Sequence, residues 1–201
     1  MPKYQLESKK IILASRSPRR QMLLKGLGVN FLCIPAEIEE TVFPSEKPIA
    51  AVKRIAVQKA ETVSKTLNEG IVIAADTIVV YKEKILGQPL DKYDAFKKLS
   101  ILNGQDHDVI TALCIIDVLS NEIEIEAETT RVFFRQMSEG EIWGYINTGE
   151  PMDKAGAYGI QGLGSIFVNR IEGCFYNVVG LPLNRLYLML RKHGVDLLKG
   201  Y

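Results

Sequence analysis

Apolar residues in this chain fall in short blocks that alternate between the periods of strand and helix. Ile11 to Ala14 predicts a short buried strand. Pro18 suits a first helical position, where its fixed φ helps and its missing N–H is not needed. Ser17 before it is a good N-cap, and Met22, Leu23, Leu24 and Leu27 follow at helical spacing. Val29 to Ile34 predicts a second strand, ended by Pro35. After a loop at Pro44 to Pro48, a long helix runs to about Leu67. Its apolar stripe is Ile49, Val52, Ile55, Ala56, Ala60, Val63 and Leu67. Ile71 to Val80 is a buried strand, Lys82-Glu83-Lys84 a turn, and Ile85-Leu86 a short return strand. Asp91 caps a helix from about Lys92 to Leu102, which Asn103-Gly104 stops.

His107 to Ile116 is a strong strand pattern, and Ser120-Asn121 turns the chain. Ile123 to Glu128 alternates with period two, so its glutamates predict the wet face of an antiparallel or edge strand. Arg131 to Phe134 predicts a further strand. Ser138-Glu139-Gly140-Glu141 has the form of a capping box and opens a helix with Ile142, Trp143, Tyr145 and Ile146, ended by Thr148 to Pro151. Met152 to Gly164 is a glycine-dense loop. Ile166 to Ile171 predicts a strand and Asn177 to Val179 another. Gly180-Leu181-Pro182 opens a last helix with Leu183, Leu186 and Leu190 inward, before a loosely held tail from His193.

With 201 residues, the chain has room for one large domain or one domain with two lobes. Its formal net charge of +1 gives no general pull toward nucleic acid or membrane, so any basic site is local. Met1 to Gln5 lacks a signal peptide's apolar core, and no run reaches the length of a membrane span. Cys33, Cys114 and Cys174 lie far apart with no CxxC spacing. They read as scattered buried thiols in a reducing, cytoplasmic compartment. His107 has no clustered partner for a metal, and Trp143 reads as core.

Five places carry candidate chemistry. Arg19 and Arg20 sit at the positive end of the first helix dipole, the wrong charge for that position. Either the helix start is simply solvated, or an anion is held there by backbone N–H groups, serine hydroxyls and guanidinium forks. Asp76 interrupts a buried apolar strand. An unpaired buried carboxylate is expensive, so it needs a cation partner, as in a structural salt bridge, or a role as general base or metal ligand. Lys59 lies on the apolar stripe of its helix, where it either snorkels to the surface or reaches into a cleft. The acidic cluster Glu37, Glu39 and Glu40 is either a solvated loop or, beside phosphates, a source of Mg²⁺ ligands. Glycines in Met152 to Gly164 permit close backbone approach to a ligand, but neither dinucleotide nor P-loop spacing occurs.

Taken together, Leu13-Ala14-Ser15-Arg16-Ser17-Pro18-Arg19-Arg20, Ala75-Asp76-Thr77 and Asp153 through Gly162 (DKAGAYGIQG) resemble the Maf family of nucleoside triphosphate pyrophosphatases. The likeness runs from about Lys10 to the last helix. Arg19, Thr77 and Gln161 resemble the branch acting on dTTP and UTP; a sister branch has a bulky aromatic where Arg19 stands.

The resemblance implies an α/β fold, with a mixed, elongated, twisted sheet flanked by helices and two lobes around a central cleft (Maf/ITPase-like). Residues 1–201 would form one domain, with about nine N-terminal and about eight C-terminal residues peripheral. It implies hydrolysis of dTTP and UTP to the monophosphate and pyrophosphate, with Asp76 as proton acceptor. Ser15, Arg20, Lys59 and Lys154 would bind phosphates, and Arg19, Thr77 and Gln161 would select substrate. Glu40 and Asp76 would hold a divalent cation, Mg²⁺ or Mn²⁺. A homodimer is suggested by the family alone, and neither nucleic acid nor membrane is an expected partner. Gln88 departs from the lysine many relatives carry, so a phosphate contact there would lose its charge. The competing class is a nucleotide-binding regulator without turnover, for instance in cell division.

Overall fold

The computed structural model describes residues 9–43 and 45–198, so Met1 to Gln5, Pro44 and the last three residues of the tail lie outside it. Among the described residues seven strands form one sheet in the order β2-β1-β3-β5-β6-β7, with β4 paired to β3. β1 (Ile11–Leu13) lies parallel to β2 (Phe31–Cys33) and to β3 (Ile71–Tyr81). The remaining pairs, β3 with β4 (Lys84–Leu86), β3 with β5 (Asp106–Asp117), β5 with β6 (Glu122–Phe134) and β6 with β7 (Val168–Glu172), are antiparallel.

The period of two along β3 divides the core. Val72, Ala74, Ile78 and Val80 face α2 (Pro48–Ser64), which lays Val52, Ala56, Ala60 and Val63 on them. Ile71, Ile73 and Ala75 face the other way, onto Leu24 of α1 (Pro18–Gly26) and Leu186, Met189 and Leu190 of α6 (Leu183–Lys192). At the far end, α3 (Lys92–Leu102) and α4 (Glu139–Asn147) close a third cluster around Leu99, Ile146 and Phe167. Asp91 and Ser138 cap their helices as predicted, the second in a complete capping box. Among the described residues no helix is long and apolar enough to cross a membrane.

Several local expectations are corrected. Ile123 to Glu128 and Arg131 to Phe134 belong to one thirteen-residue strand, because Thr130 continues the ladder, buried. The β6 glutamates do more than meet water: Glu126 and Glu128 pair with Arg185, and Glu124 with Lys192, docking α6. Asn177 to Val179 is not a strand but part of a short helix, α5 (Phe175–Val179), ended by Gly180 at φ 114°. The tail is held as far as residue 198: His193 is buried, and Val195 and Leu197 pack against the α6 cluster. Ile49 points outward, because it lies in the first turn of α2, beyond the sheet. Cys33 is exposed, since β2 is an edge strand, while Cys114 is buried and Cys174 intermediate. His107 is a structural residue near the start of β5 and is buried: its Nε2 lies 2.7 Å from the Tyr158 hydroxyl, and burial pushes its pKa down to about 4. Trp143 is half-buried and stacks on Phe96.

Candidate active site

The site exists because two neighbours of β3 are short. β1 accompanies it only as far as Ile73, and β4 rejoins it only at Val79. Between them the edge of β3 on the β1 and β4 side, around Asp76 and Thr77, has no described strand beside it, while β5 pairs the other edge. A cleft of about 730 Å³ opens there, outside the carboxyl end of β1, where open α/β sheets place their ligands. All nine residues predicted for the site line it: Ser15, Arg19, Arg20, Glu40, Lys59, Asp76, Thr77, Lys154 and Gln161.

Asp76 and Thr77, adjacent on the strand, face opposite sides of the sheet and reach the cleft from both. On the α2 side, the Asp76 carboxylate is 2.7 Å from the Lys59 ammonium, which is also 2.8 Å from Glu40. Lys59 therefore does not snorkel; it is buried and bridges two carboxylates. Burial raises the pKa of Asp76, opposed by Lys59 and Arg20 and reinforced by Glu40. Such a carboxyl is a better proton acceptor than a solvated one.

On the α1 side, Pro18 and the Ser17 cap place the first helical turn against the cleft, with the Ser17 side chain accepting from the Arg20 N–H. Ser15 is buried and its hydroxyl accepts from the Ser17 N–H and from Arg20. Burial pulls Arg20 below the usual arginine pKa, but the nearby Asp76 and Glu40 charges oppose this, and a guanidinium stays charged. Arg16 lies at the exposed rim of the cleft, where it pairs with Glu37 at 3.2 Å.

The glycine-dense stretch forms the opposite wall as three short 3-10 turns, 150–153, 155–157 and 162–167. Asp153 bridges the walls, at 3.0 Å from Arg19 and 2.6 Å from Lys154. Burial alone would raise its pKa; hydrogen bonds from Lys154 and Arg19 hold it below the ordinary value. Gln88 reaches the same residue, donating to the Asp153 carbonyl at 3.3 Å. The wall is fastened by Glu150, whose carboxylate accepts from the Leu163 and Gly164 N–H groups and the Tyr145 hydroxyl.

A family model described as "Maf-like protein" matches residues 10–193. The chain belongs to the Maf family. It is 54% identical over 187 residues to a dTTP/UTP pyrophosphatase of Syntrophomonas wolfei, covering 93% of this chain and 99% of that one. A dTTP/UTP pyrophosphatase of Caldicellulosiruptor saccharolyticus is 47% identical, with 96% and 98% covered. One from Clostridium botulinum is 48% identical, with 94% and 100% covered.

Beyond the motifs that carry the Maf resemblance, sequence reasoning missed Glu150. Glu150 had a faint signal, an acid beside the glycines it fastens. Gly164 is the tightest point of this wall: a Cβ there would lie 2.5 Å from the Gly159 carbonyl oxygen and 2.6 Å from the Tyr145 hydroxyl. Gly164→Ala is expected to destabilise the protein by about 1–3 kcal/mol, as overpacking typically does. An unchanged denaturant midpoint would show that the wall yields freely.

Proposed function

We propose that this chain hydrolyses nucleoside triphosphates, dTTP and UTP foremost, to the monophosphate and pyrophosphate. The observation that carries the reading is the convergence on one cleft of a buried carboxylate, Asp76, with Arg19, Arg20, Lys59 and Lys154, from segments far apart in sequence. The substrates are those after which the relatives are named, dTTP and UTP.

In this reading water attacks the α-phosphorus, Asp76 accepts its proton, and the bond to the β-phosphate oxygen breaks to release pyrophosphate. Ser15 with the α1 N-terminus, Arg20, Lys59 and Lys154 hold the phosphates and offset charge that grows in the transition state. Arg19 and Gln161 read the polar edge of the base, where an unpaired buried group discriminates strongly.

Among the described residues no group of three or more His, Cys, Asp or Glu could hold a metal by itself. The pair Glu40 and Asp76 nonetheless suits Mg²⁺ or Mn²⁺, because Mg²⁺ is commonly bound by one or two carboxylates plus substrate phosphates. Such a cation, when bound, would neutralise phosphate charge as a Lewis acid. Unpaired cysteines agree with a reducing, cytoplasmic compartment.

Incubation with a nucleotide panel and a divalent cation tests the reading, with pyrophosphate and phosphate assayed separately. Pyrophosphate from dTTP and UTP is expected. Binding without pyrophosphate release would leave a regulator instead.

Asp153 supplies a second check. Its carboxylate occupies two of the cations proposed for substrate, so Asp153→Asn is expected to tighten inorganic pyrophosphate binding several-fold by calorimetry. Weaker binding would mean that the carboxylate helps the anion site, not that it competes for it.

A further inference from the structure

Among the described residues Arg20 is the only buried arginine, and it is held from three sides. Its Nε donates to the Gly180 carbonyl at 2.8 Å. One terminal nitrogen donates to Ser15 Oγ at 3.3 Å, the other to Thr77 Oγ1 at 2.9 Å. A guanidinium has five N–H groups, so two remain for an anion in the cleft.

The Thr77 hydroxyl also lies 2.9 Å from the Thr111 hydroxyl, a pair in which either could donate. The surroundings decide. Thr111 Oγ1 is 2.9 Å from the backbone carbonyl of Asn177, which can only accept, so the Thr111 proton points there. A hydroxyl carries one proton, and Thr77 must therefore donate to Thr111. Thr77 is left to accept from Arg20. The bonds run in one direction, from Arg20 through Thr77 and Thr111 to the Asn177 carbonyl.

The far end is anchored as well. The Asn177 side-chain amide donates to the Val109 carbonyl at 2.9 Å and to Thr130 Oγ1 at 3.0 Å. Thr130 in turn exchanges hydrogen bonds with the backbone of Cys174. Thr111 and Asn177 are fully buried, and neither lines the cleft. The β3–β5 register puts Thr111 directly opposite Thr77.

We infer that Thr111 is a positioning residue for the anion-binding arginine. From the neighbouring strand it turns the Thr77 hydroxyl into a fixed acceptor for Arg20, and it never meets the substrate. The inference rests on the cleft being a triphosphate site. It also assigns Thr77 a role: with its proton committed to Thr111, its influence on substrate passes through Arg20, not through a bond donated to the base.

The test compares Thr111→Val and Thr111→Ala, which remove the hydroxyl, with Thr111→Ser, which keeps it. Two readouts are used, pyrophosphate release from dTTP and calorimetric binding of inorganic pyrophosphate. Both hydroxyl-less variants are expected to lose tenfold or more in kcat/KM and to bind pyrophosphate correspondingly more weakly. Thr111→Ser is expected to stay within about threefold of wild type on both. Combined with Arg20→Lys, Thr111→Val should add no further loss, since it acts through that arginine. A folded Thr111→Val or Thr111→Ala protein within twofold of wild type would overturn the inference. So would a Thr111→Ser protein as impaired as the others, or losses that multiply with Arg20→Lys. If wild type releases no pyrophosphate yet binds it with this pattern across the variants, the reaction is wrong and the positioning role stands. If binding ignores Thr111, the positioning role fails whatever the turnover.

Discussion

Asp76→Asn is expected to lower pyrophosphate release by about 10³-fold, within the 10²–10⁴ range of a lost general base. It is also expected to leave the fold at least as stable at neutral pH. Two observations combine in that second half. Asp76 is buried and its carboxyl is raised above its ordinary value of 3.8 by burial, even against Lys59 and Arg20. The folded chain therefore binds this proton more tightly than the unfolded one. The stability contributed by that proton is complete below the ordinary carboxyl pKa and is lost as pH rises through the folded-state value. Asparagine has no such loss, and Lys59 keeps Glu40 as its partner at 2.8 Å. The melting difference between variant and wild type should then move in the variant's favour from acid toward neutral pH. Thermal unfolding of the metal-free protein, with chelator present, reads this directly. Near-normal turnover would remove Asp76 from the reaction; a variant that melts well below wild type at neutral pH would show that the Asp76–Lys59 pair holds the fold together.

That trade of stability for chemistry is why the acid was visible in the sequence at all. An aspartate within Ile71 to Val80 contradicts everything around it, and such local contradictions mark functional sites. Arg19 and Arg20, at a helix start that favours acids, were legible for the same reason. Lys59 was ambiguous, because a lysine on an apolar stripe fits both a snorkelling and a buried role. The structure resolves it through two carboxylates, one from the loop after β2 and one from β3, and periodicity along α2 carries no information about either.

Most of the fold was equally legible, since β3 and β5 are near-continuous apolar runs and α3 and α4 have ordinary caps. The errors fall where a short apolar run has two outcomes. Asn177 to Val179 satisfies a strand pattern and one turn of helix equally well. The choice was made by Asn177, which needs Val109 and Thr130 from two other strands to satisfy its amide. Likewise, the β6 glutamates alternate as a wet face would, and only the docked α6 supplies Arg185 and Lys192 opposite them. Partners distant in sequence decided both cases.

The second large effect is expected at Arg20. Arg20→Lys keeps the charge but should lower kcat/KM by about 10²–10³-fold, comparable with losing a preorganised donor at a developing anion. Lysine is a point donor on a flexible stem and cannot reproduce a planar fork. The present guanidinium meets Gly180, Ser15 and Thr77 at once, and its remaining N–H groups are aimed by those three bonds. A lysine that satisfied them would have little left for phosphate; one that turned to phosphate would leave buried acceptors unpaired. In the second case stability should also fall, by about 1–3 kcal/mol for each acceptor left without a donor. Arg19→Lys provides the contrast, because Arg19 is part-exposed and pairs with Asp153 at 3.0 Å. Its loss should be far smaller in rate on a given nucleotide and negligible in stability. Equal losses at the two positions, measured as kcat/KM beside denaturant midpoints, would mean that the cleft needs positive charge only and that the three-sided seat of Arg20 has no part in the rate.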